Sequence, residues 1–97
     1  MFARHVTIQL QPGKADETAA IYRDKVIPAL QQQAGFKSAF LLIDPTTPKG
    51  ISIALWETEA DMLASETSGF FQDQIVKFAD VFAGPPVKEY YQVSVQT

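Results

Sequence analysis

The stretch Ile51–Phe71, ISIALWETEADMLASETSGFF, decides the fold. Up to Trp56 it alternates large apolar with small or polar side chains, which is typical of a strand buried mainly on one face. A helix start follows, because the Thr58 hydroxyl can accept a hydrogen bond from an early backbone N–H and Asp61 is placed to reach back. The chain therefore passes from strand to helix just after a large aromatic residue, where a pocket can open.

Three elements are predicted before this stretch. Phe2–Leu10 alternates as a strand, and from about Lys14 to Leu30 the apolar residues recur at steps of three and four, which predicts a helix with one buried stripe. Pro28 lies inside that helix, where a proline removes a hydrogen bond, so we expect a kink there. Phe36–Asp44 is a second strand, and a turn-rich segment joins it to the next strand as an antiparallel hairpin.

The remainder of the chain predicts two helices and a last strand. We expect a short helix from Thr58 to about Ser65 and a longer one from about Gly69 to Ala83, where a Gly-Pro-Pro sequence ends it. Phe71, Ile75, Phe78 and Phe82 form the apolar stripe of the longer helix. Val87–Val95 then alternates as a strand.

The order of these elements over residues 1–97 is strand, helix, strand, strand, helix, strand. It predicts a single α+β domain of the ferredoxin-like βαββαβ type, with helices on one face of an antiparallel four-stranded sheet. The other face of the sheet would stay bare, although every strand offers apolar side chains to both sides. We therefore expect a homodimer in which two copies pair through their sheet faces.

Composition excludes several classes of function. The net charge is −3 with only eight Lys and Arg residues, which argues against binding to nucleic acid or to an anionic membrane. The absence of cysteine and the single histidine exclude disulfides, thiolate chemistry and a multi-histidine metal site within one chain. The sequence has no apolar run long enough to span a bilayer and no signal-peptide pattern, so we expect a cytoplasmic protein.

A series of short motifs runs along nearly the whole chain. They are Pro12-Gly13-Lys14, Ile27-Pro28-Ala29-Leu30, Ala34-Gly35-Phe36, Leu55-Trp56-Glu57-Thr58, then Ser68 and Phe71, and finally Gly84-Pro85-Pro86 before Tyr90-Tyr91. In this order and spacing the sequence resembles the antibiotic biosynthesis monooxygenase (ABM) domains of the dimeric α/β barrel superfamily. The resemblance implies a pocket that binds a small aromatic molecule and dioxygen, with no cofactor and no metal.

The family has members of several activities, and the resemblance leaves two functions open. The first is a cofactor-independent monooxygenase that oxidises a small aromatic, phenolic or quinol-like substrate. The second is a non-catalytic small-molecule-binding or stress-related protein of the same fold. Haem degradation is disfavoured, because haem-degrading members use an Asn on the first strand with a Trp and a His on the second helical region. This sequence has no Asn, and Ser65 and Ile75 stand where the Trp and the His would be.

Two residues are candidates for catalysis. Trp56 suits either the core or a pocket wall, and the resemblance implies that it lines the substrate cavity and stacks on the substrate. His5 is the only side chain whose ordinary pKa lies near neutrality, so it suits a base that removes a phenolic proton. The alternative for His5 is a partly exposed strand residue near the terminus.

Six further residues are expected at the substrate pocket, although helical stripes of this kind also suit a core. They are Thr7, Tyr22, Ser52, Met62, Phe71 and Tyr90. Strand parity alone cannot relate the faces of two strands, but we prefer an arrangement in which His5 and Thr7 face the helices together with Ser52 and Trp56. Arg4 could bind an anion, but we expect it, like Glu66, at the solvated surface.

Overall fold

A computed structural model describes residues 1–97 and contains one four-stranded antiparallel sheet. The strands are β1 (Phe2–Gln9), β2 (Phe36–Ile43), β3 (Lys49–Trp56) and β4 (Val87–Gln92). Their order across the sheet is β2-β3-β1-β4, so the first and third strands are central. This arrangement confirms the predicted α+β, ferredoxin-like fold.

Helical segments cover one face of the sheet. They are α1 (Ala15–Ile21), a π-helical segment (Tyr22–Val26), α2 (Ile27–Leu30), α3 (Glu59–Thr67), α4 (Phe70–Ile75) and a 3₁₀ turn (Val76–Phe78). The main core lies between these segments and the sheet, and Trp56, Met62 and Val81 are its most deeply buried large side chains. None of the helices is long and apolar enough to span a lipid bilayer.

The first helical region accommodates its interior proline by changing its hydrogen-bonding pattern. The segment directly before α2 is π-helical, and Pro28 then occupies an early position of α2. An early helical position suits proline, because the N–H that proline lacks would have no partner in the same helix. The sequence predicted a kink at this position, and the structure shows a π-helical segment just upstream of it. Such segments are frequent at functional sites.

The second long helix is shorter than predicted. It was expected to reach Ala83, but regular helical structure ends at Phe78. The reason is that the following residues pair with the end of β1 instead. The Ala83 N–H donates to the Gln9 carbonyl at 2.7 Å, and Leu10 and Phe82 form an isolated β-bridge.

The strand register decides which side chains share the helix-covered face. In the β1–β3 pairing, Arg4 lies opposite Ala54 and Val6 opposite Ser52, whereas His5 lies opposite Ile53. Paired residues of antiparallel strands point to the same side of a sheet. His5 and Thr7 therefore lie on the open face, so the preferred arrangement in which they faced the helices was wrong.

The open face of the sheet is strongly apolar. Phe40 and Leu42 of β2 are each 50% exposed, and Val87 and Tyr91 of β4 are 58% and 52% exposed. Between them, Ile51, Ile53 and Leu55 of β3 are only partly buried. No element of this chain covers these side chains.

Candidate functional site

A small, mostly apolar cavity lies between the helix-covered face of the sheet and the helices. Its volume is about 50 Å³, and hydrophobic residues make up 11 of the 14 that line it. Pockets for drug-sized ligands measure roughly 300–1,000 Å³, so this space suits a much smaller molecule. The side chains that bring polar atoms to its wall are Arg4, Tyr22, Ser52 and Gln74.

Arg4 is the only charged side chain that lines the cavity. It is 3% exposed, because its position on β1 points it under α3. Its Nη1 donates to the Ser65 hydroxyl at 2.7 Å, and more weakly to the Met62 carbonyl and a Glu66 carboxylate oxygen, both at 3.4 Å. The expectation of a solvated Arg4 was wrong, because α3 covers this end of the strand.

Aromatic rings also surround the Arg4 guanidinium. Its Cζ lies 4.5 Å from the centroid of the Phe71 ring and 5.4 Å from that of Trp56. Burial lowers the pKa of Arg4, and the Glu66 carboxylate acts in the opposite direction. An arginine in a protein keeps its charge despite such a shift. The cavity therefore contains one fixed positive charge held against aromatic faces.

Glu66 links this buried charge to the surface. Its Oε1 accepts hydrogen bonds from Lys88 Nζ and from the Tyr90 hydroxyl, both at 2.8 Å, and its side chain is 16% exposed. Burial alone would raise the pKa of Glu66, but the bonds from Lys88 and Tyr90 outweigh it and hold the pKa below its ordinary value. The expectation that Glu66 is a simple surface charge was wrong, because it is a counter-ion of Arg4.

Tyr22 and Ser52 form a second polar pair in the cavity wall. Their hydroxyl oxygens are 2.9 Å apart, and the Tyr22 hydroxyl also donates to the Phe40 carbonyl at 3.3 Å. Burial raises the pKa of Tyr22, so the phenol stays neutral at physiological pH. The pair offers hydroxyl groups to a ligand and no negative charge.

Comparison with known proteins identifies the family. Residues 1–76 match the family model described as antibiotic biosynthesis monooxygenase. The chain belongs to this family. This result confirms the resemblance drawn from the sequence motifs.

Solved structures of the ABM type share the fold at low sequence identity. A monooxygenase of Streptomyces coelicolor, ActVA-Orf6, solved with nanaomycin D, superposes with a TM-score of 0.78 at 16% identity, over 99% of this chain and 89% of that one. SnoaB, a cofactor-independent oxygenase of Streptomyces nogalater, superposes with a TM-score of 0.76 at 11% identity, over 98% of this chain and 94% of SnoaB. An ABM-type protein of Bordetella bronchiseptica gives 0.76 at 24% identity, over 97% of both chains.

Two relatives by sequence are uncharacterised proteins of Mycobacterium tuberculosis. One is 33% identical over 98 residues, which are 97% of this chain and 41% of the relative. Another is 40% identical over 65 residues, which are 67% of this chain and 28% of the relative. The chain therefore spans about two fifths or less of the length of these relatives.

The cavity of this ABM-family chain brings together three of the residues predicted for the pocket. Tyr22, Ser52 and Phe71 line it. Trp56 and Met62 are 0% and 1% exposed and lie in the adjoining core rather than on the cavity wall. Trp56 packs edge-on against Phe36, with the ring centroids 5.7 Å apart, and its indole N–H has no hydrogen-bond partner.

The other predicted residues lie elsewhere. His5 is on the open face, where its Nδ1 is 3.5 Å from a Glu89 carboxylate oxygen and its ring meets Tyr91 edge-on. Thr7 shares that face. Tyr90 is on the helix-covered side, but it is 44% exposed and bonded to Glu66 at the edge of the sheet. No residue with an ordinary pKa near neutrality lines the cavity.

Sequence reasoning assigned Arg4 to the surface and did not consider Gln74, although each carries a signal of burial. Arg4 has the same strand parity as Val6 and Ile8, so it belongs to the buried face of β1. Gln74 stands between Phe71 and Phe78 at steps of three and four on the predicted apolar stripe. A polar residue in register with a buried stripe is a candidate for a site that faces inward.

Proposed function

We propose that this chain is a cofactor-independent monooxygenase that oxidises a single-ring phenol or quinol bound in the cavity. The observation that carries the proposal is the cavity itself, which is apolar, lies between the sheet and the helices, and has one buried cation among aromatic side chains. At about 50 Å³ the cavity excludes a polycyclic substrate. Its side-chain walls must also move apart to admit one ring, since a cavity that holds benzene measures about 150 Å³. Membership of the ABM family supports the reaction class.

The reaction balances without a cofactor. For a phenol with a free para carbon, phenol plus O₂ gives p-quinone plus water. One oxygen atom becomes the new carbonyl oxygen and the other leaves as water, while the ring supplies four electrons. The apolar walls would exclude bulk water from the reactive ring, and the hydroxyl groups of Tyr22 and Ser52 would orient its oxygen.

We also propose that the active form is a homodimer joined through the open sheet faces. The exposed apolar side chains of β2 and β4 support this, since a surface of this kind is costly to leave in water. The family resemblance points to the same assembly.

A non-catalytic binding protein is the second candidate, and a specific observation favours it. His5, the one residue suited to act as a base near neutral pH, lies on the face opposite the cavity. A cavity without a base can bind a ring without transforming it. Measured turnover therefore decides between the two functions.

Oxygen uptake tests the proposed reaction. Purified protein is supplied with single-ring phenols and hydroquinones under ¹⁸O₂, and the quinone product is analysed by mass spectrometry. We expect one labelled oxygen atom in the quinone formed from each phenol, and one in the hydroxyquinone formed from each hydroquinone. Unlabelled quinone from a hydroquinone would indicate dehydrogenation without oxygen insertion. Ala54→Leu, which fills the cavity, should abolish uptake, whereas Ala60→Leu on the exposed face of α3 is the matched control and should retain it. Binding without uptake across the panel would support the binding protein instead.

A further inference from the structure

The buried Arg4 has hydrogen-bond donors to spare. All three of its hydrogen bonds leave from Nη1, and neither Nε nor Nη2 donates to another protein atom. The side chain is nevertheless 97% buried and lines the cavity. The only fully enclosed polar side-chain atoms without a partner are His5 Nδ1 and Trp56 Nε1, so the free Arg4 nitrogens keep some accessible surface to which a ligand can bind.

The charge around Arg4 is also incompletely balanced. Glu66 is the one carboxylate bonded to the guanidinium, and the same carboxylate is shared with Lys88. Two cations and one anion leave this cluster with a surplus positive charge. Both cations lie against the Phe71 ring, at 4.5 Å for Arg4 and 5.0 Å for Lys88, and Phe71 lines the cavity.

We propose that Arg4 binds an anionic oxygen on the ring ligand, so that the cavity selects phenolates or ring carboxylates over neutral rings. The Nε and Nη2 edge of a guanidinium has the geometry to bind such an oxygen, and in Arg4 neither nitrogen donates to a protein atom. This inference deepens the proposed function, since it defines the ligand of the same cavity.

The inference also explains how a cavity without a base can supply a reactive phenolate. A phenol that binds beside Arg4 becomes more acidic, because the cation stabilises its ionised form. Its proton then leaves to solvent rather than to a side chain. Arg4 is in this sense a specificity-determining residue whose effect can be measured without any oxidation.

The first test uses 4-nitrophenol, whose ionised form is yellow, and 4-nitrobenzamide as a neutral ring. Absorbance titrations over pH give the apparent pKa of the bound nitrophenol. We expect the protein to lower it by about 1 to 3 units relative to free nitrophenol. An apolar cavity without an available cation would raise it instead. An unchanged or raised pKa, or no binding at millimolar concentration, would overturn the inference.

Variants assign the effect to Arg4. Arg4→Met should remove the pKa shift, while Arg23→Met removes an arginine that is 70% exposed and should leave the shift intact. If Arg4→Met fails to fold, Glu66→Gln serves the same purpose, because removing the counter-ion should lower the pKa of bound nitrophenol further. A Glu66→Gln protein with a smaller shift than wild type would contradict the inference.

Benzoate and 4-nitrobenzamide complete the design. If benzoate competes with nitrophenol, a ring carboxylate binds in the same cavity. If benzoate does not compete, the site accepts phenolates only. Equal affinity for the neutral benzamide would refute charge selection. If the pKa of bound nitrophenol is lowered but no oxygen is consumed, the inference about Arg4 stands and the monooxygenase proposal fails. If oxygen is consumed but the pKa is not lowered, the monooxygenase proposal stands and the inference about Arg4 fails.

Discussion

Individual residues matter here mainly through one buried ion cluster. Arg4 is carried on a central strand, and its partners Ser65 and Glu66 are carried on α3. The arginine therefore ties the helix to the sheet in addition to lining the cavity. Removing one member of such a cluster leaves another buried without a partner, which is more costly than losing the contact alone.

The pKa of Glu66 makes this cluster sensitive to acid. The folded-state pKa lies below the ordinary value of about 4.3, so the carboxylate stabilises the protein fully above that value. This contribution is lost as the pH falls through the folded-state pKa. Urea denaturation should show Glu66→Gln less stable than wild type at pH 7 by roughly 1 kcal/mol, with the difference shrinking below about pH 4.

The control for Glu66 is Glu59→Gln, in the first turn of the same helix. Its carboxylate takes part in none of the ion pairs around Arg4. A difference between Glu66→Gln and wild type that persists undiminished at pH 3 would contradict this role of the cluster.

At the scale of elements, the connections between helix and sheet are tightly constrained. Gly35 joins α2 to β2 with φ +78°, and its carbonyl accepts a hydrogen bond from the Glu57 N–H at 2.7 Å. A Cβ at this position would collide with the side chain of Asp61 near the start of α3. Asp61 in turn completes the helix cap with Thr58, whose hydroxyl accepts from the Asp61 N–H at 3.1 Å.

Two glycines allow the energetic cost of backbone strain to be measured apart from the cost of a steric collision. Gly13 and Gly35 both have φ +78°, but an added Cβ at Gly13 meets nothing within 4 Å. Gly13→Ala should therefore cost only the strain of the left-handed conformation, about 1–2 kcal/mol. Gly35→Ala should cost roughly 1–3 kcal/mol more, because Asp61 must move. Equal losses of unfolding free energy in chemical denaturation would show that the contact with Asp61 does not matter.

Most of the elements could be predicted, because each depends on local patterns. The alternation in β1, the cap at Thr58 and the apolar stripe from Phe71 to Phe78 were all confirmed. Their relative placement could not be predicted in the same way. The parity that Arg4 shares with Val6 and Ile8 favours its burial. It does not say which residues of β3 share that face, because this depends on the pairing of β1 with β3.

At the scale of the whole molecule, the open sheet face predicts the assembly. Sedimentation should show a particle of two chains for wild type. Phe40→Glu places a charge on the open face, where the side chain is 50% exposed, and should shift the protein towards single chains. Val76→Glu is the matched control, because Val76 is 57% exposed and lies in the 3₁₀ turn of the helical layer. A wild-type protein that sediments as one chain at high concentration would contradict the dimer.

The central claim is that the cavity beside Arg4 is the ligand site, and the only tryptophan of the chain allows a direct test. Trp56 gives a single indole N–H signal in a ¹⁵N-correlated NMR spectrum, and its ring lies 5.4 Å from the Arg4 Cζ. Titration with 4-nitrophenol should shift this signal in a saturable way in wild type and in Ala60→Leu, but not in Ala54→Leu. A signal that stays fixed in wild type, or that moves equally in Ala54→Leu, would show that the ligand binds elsewhere or not at all.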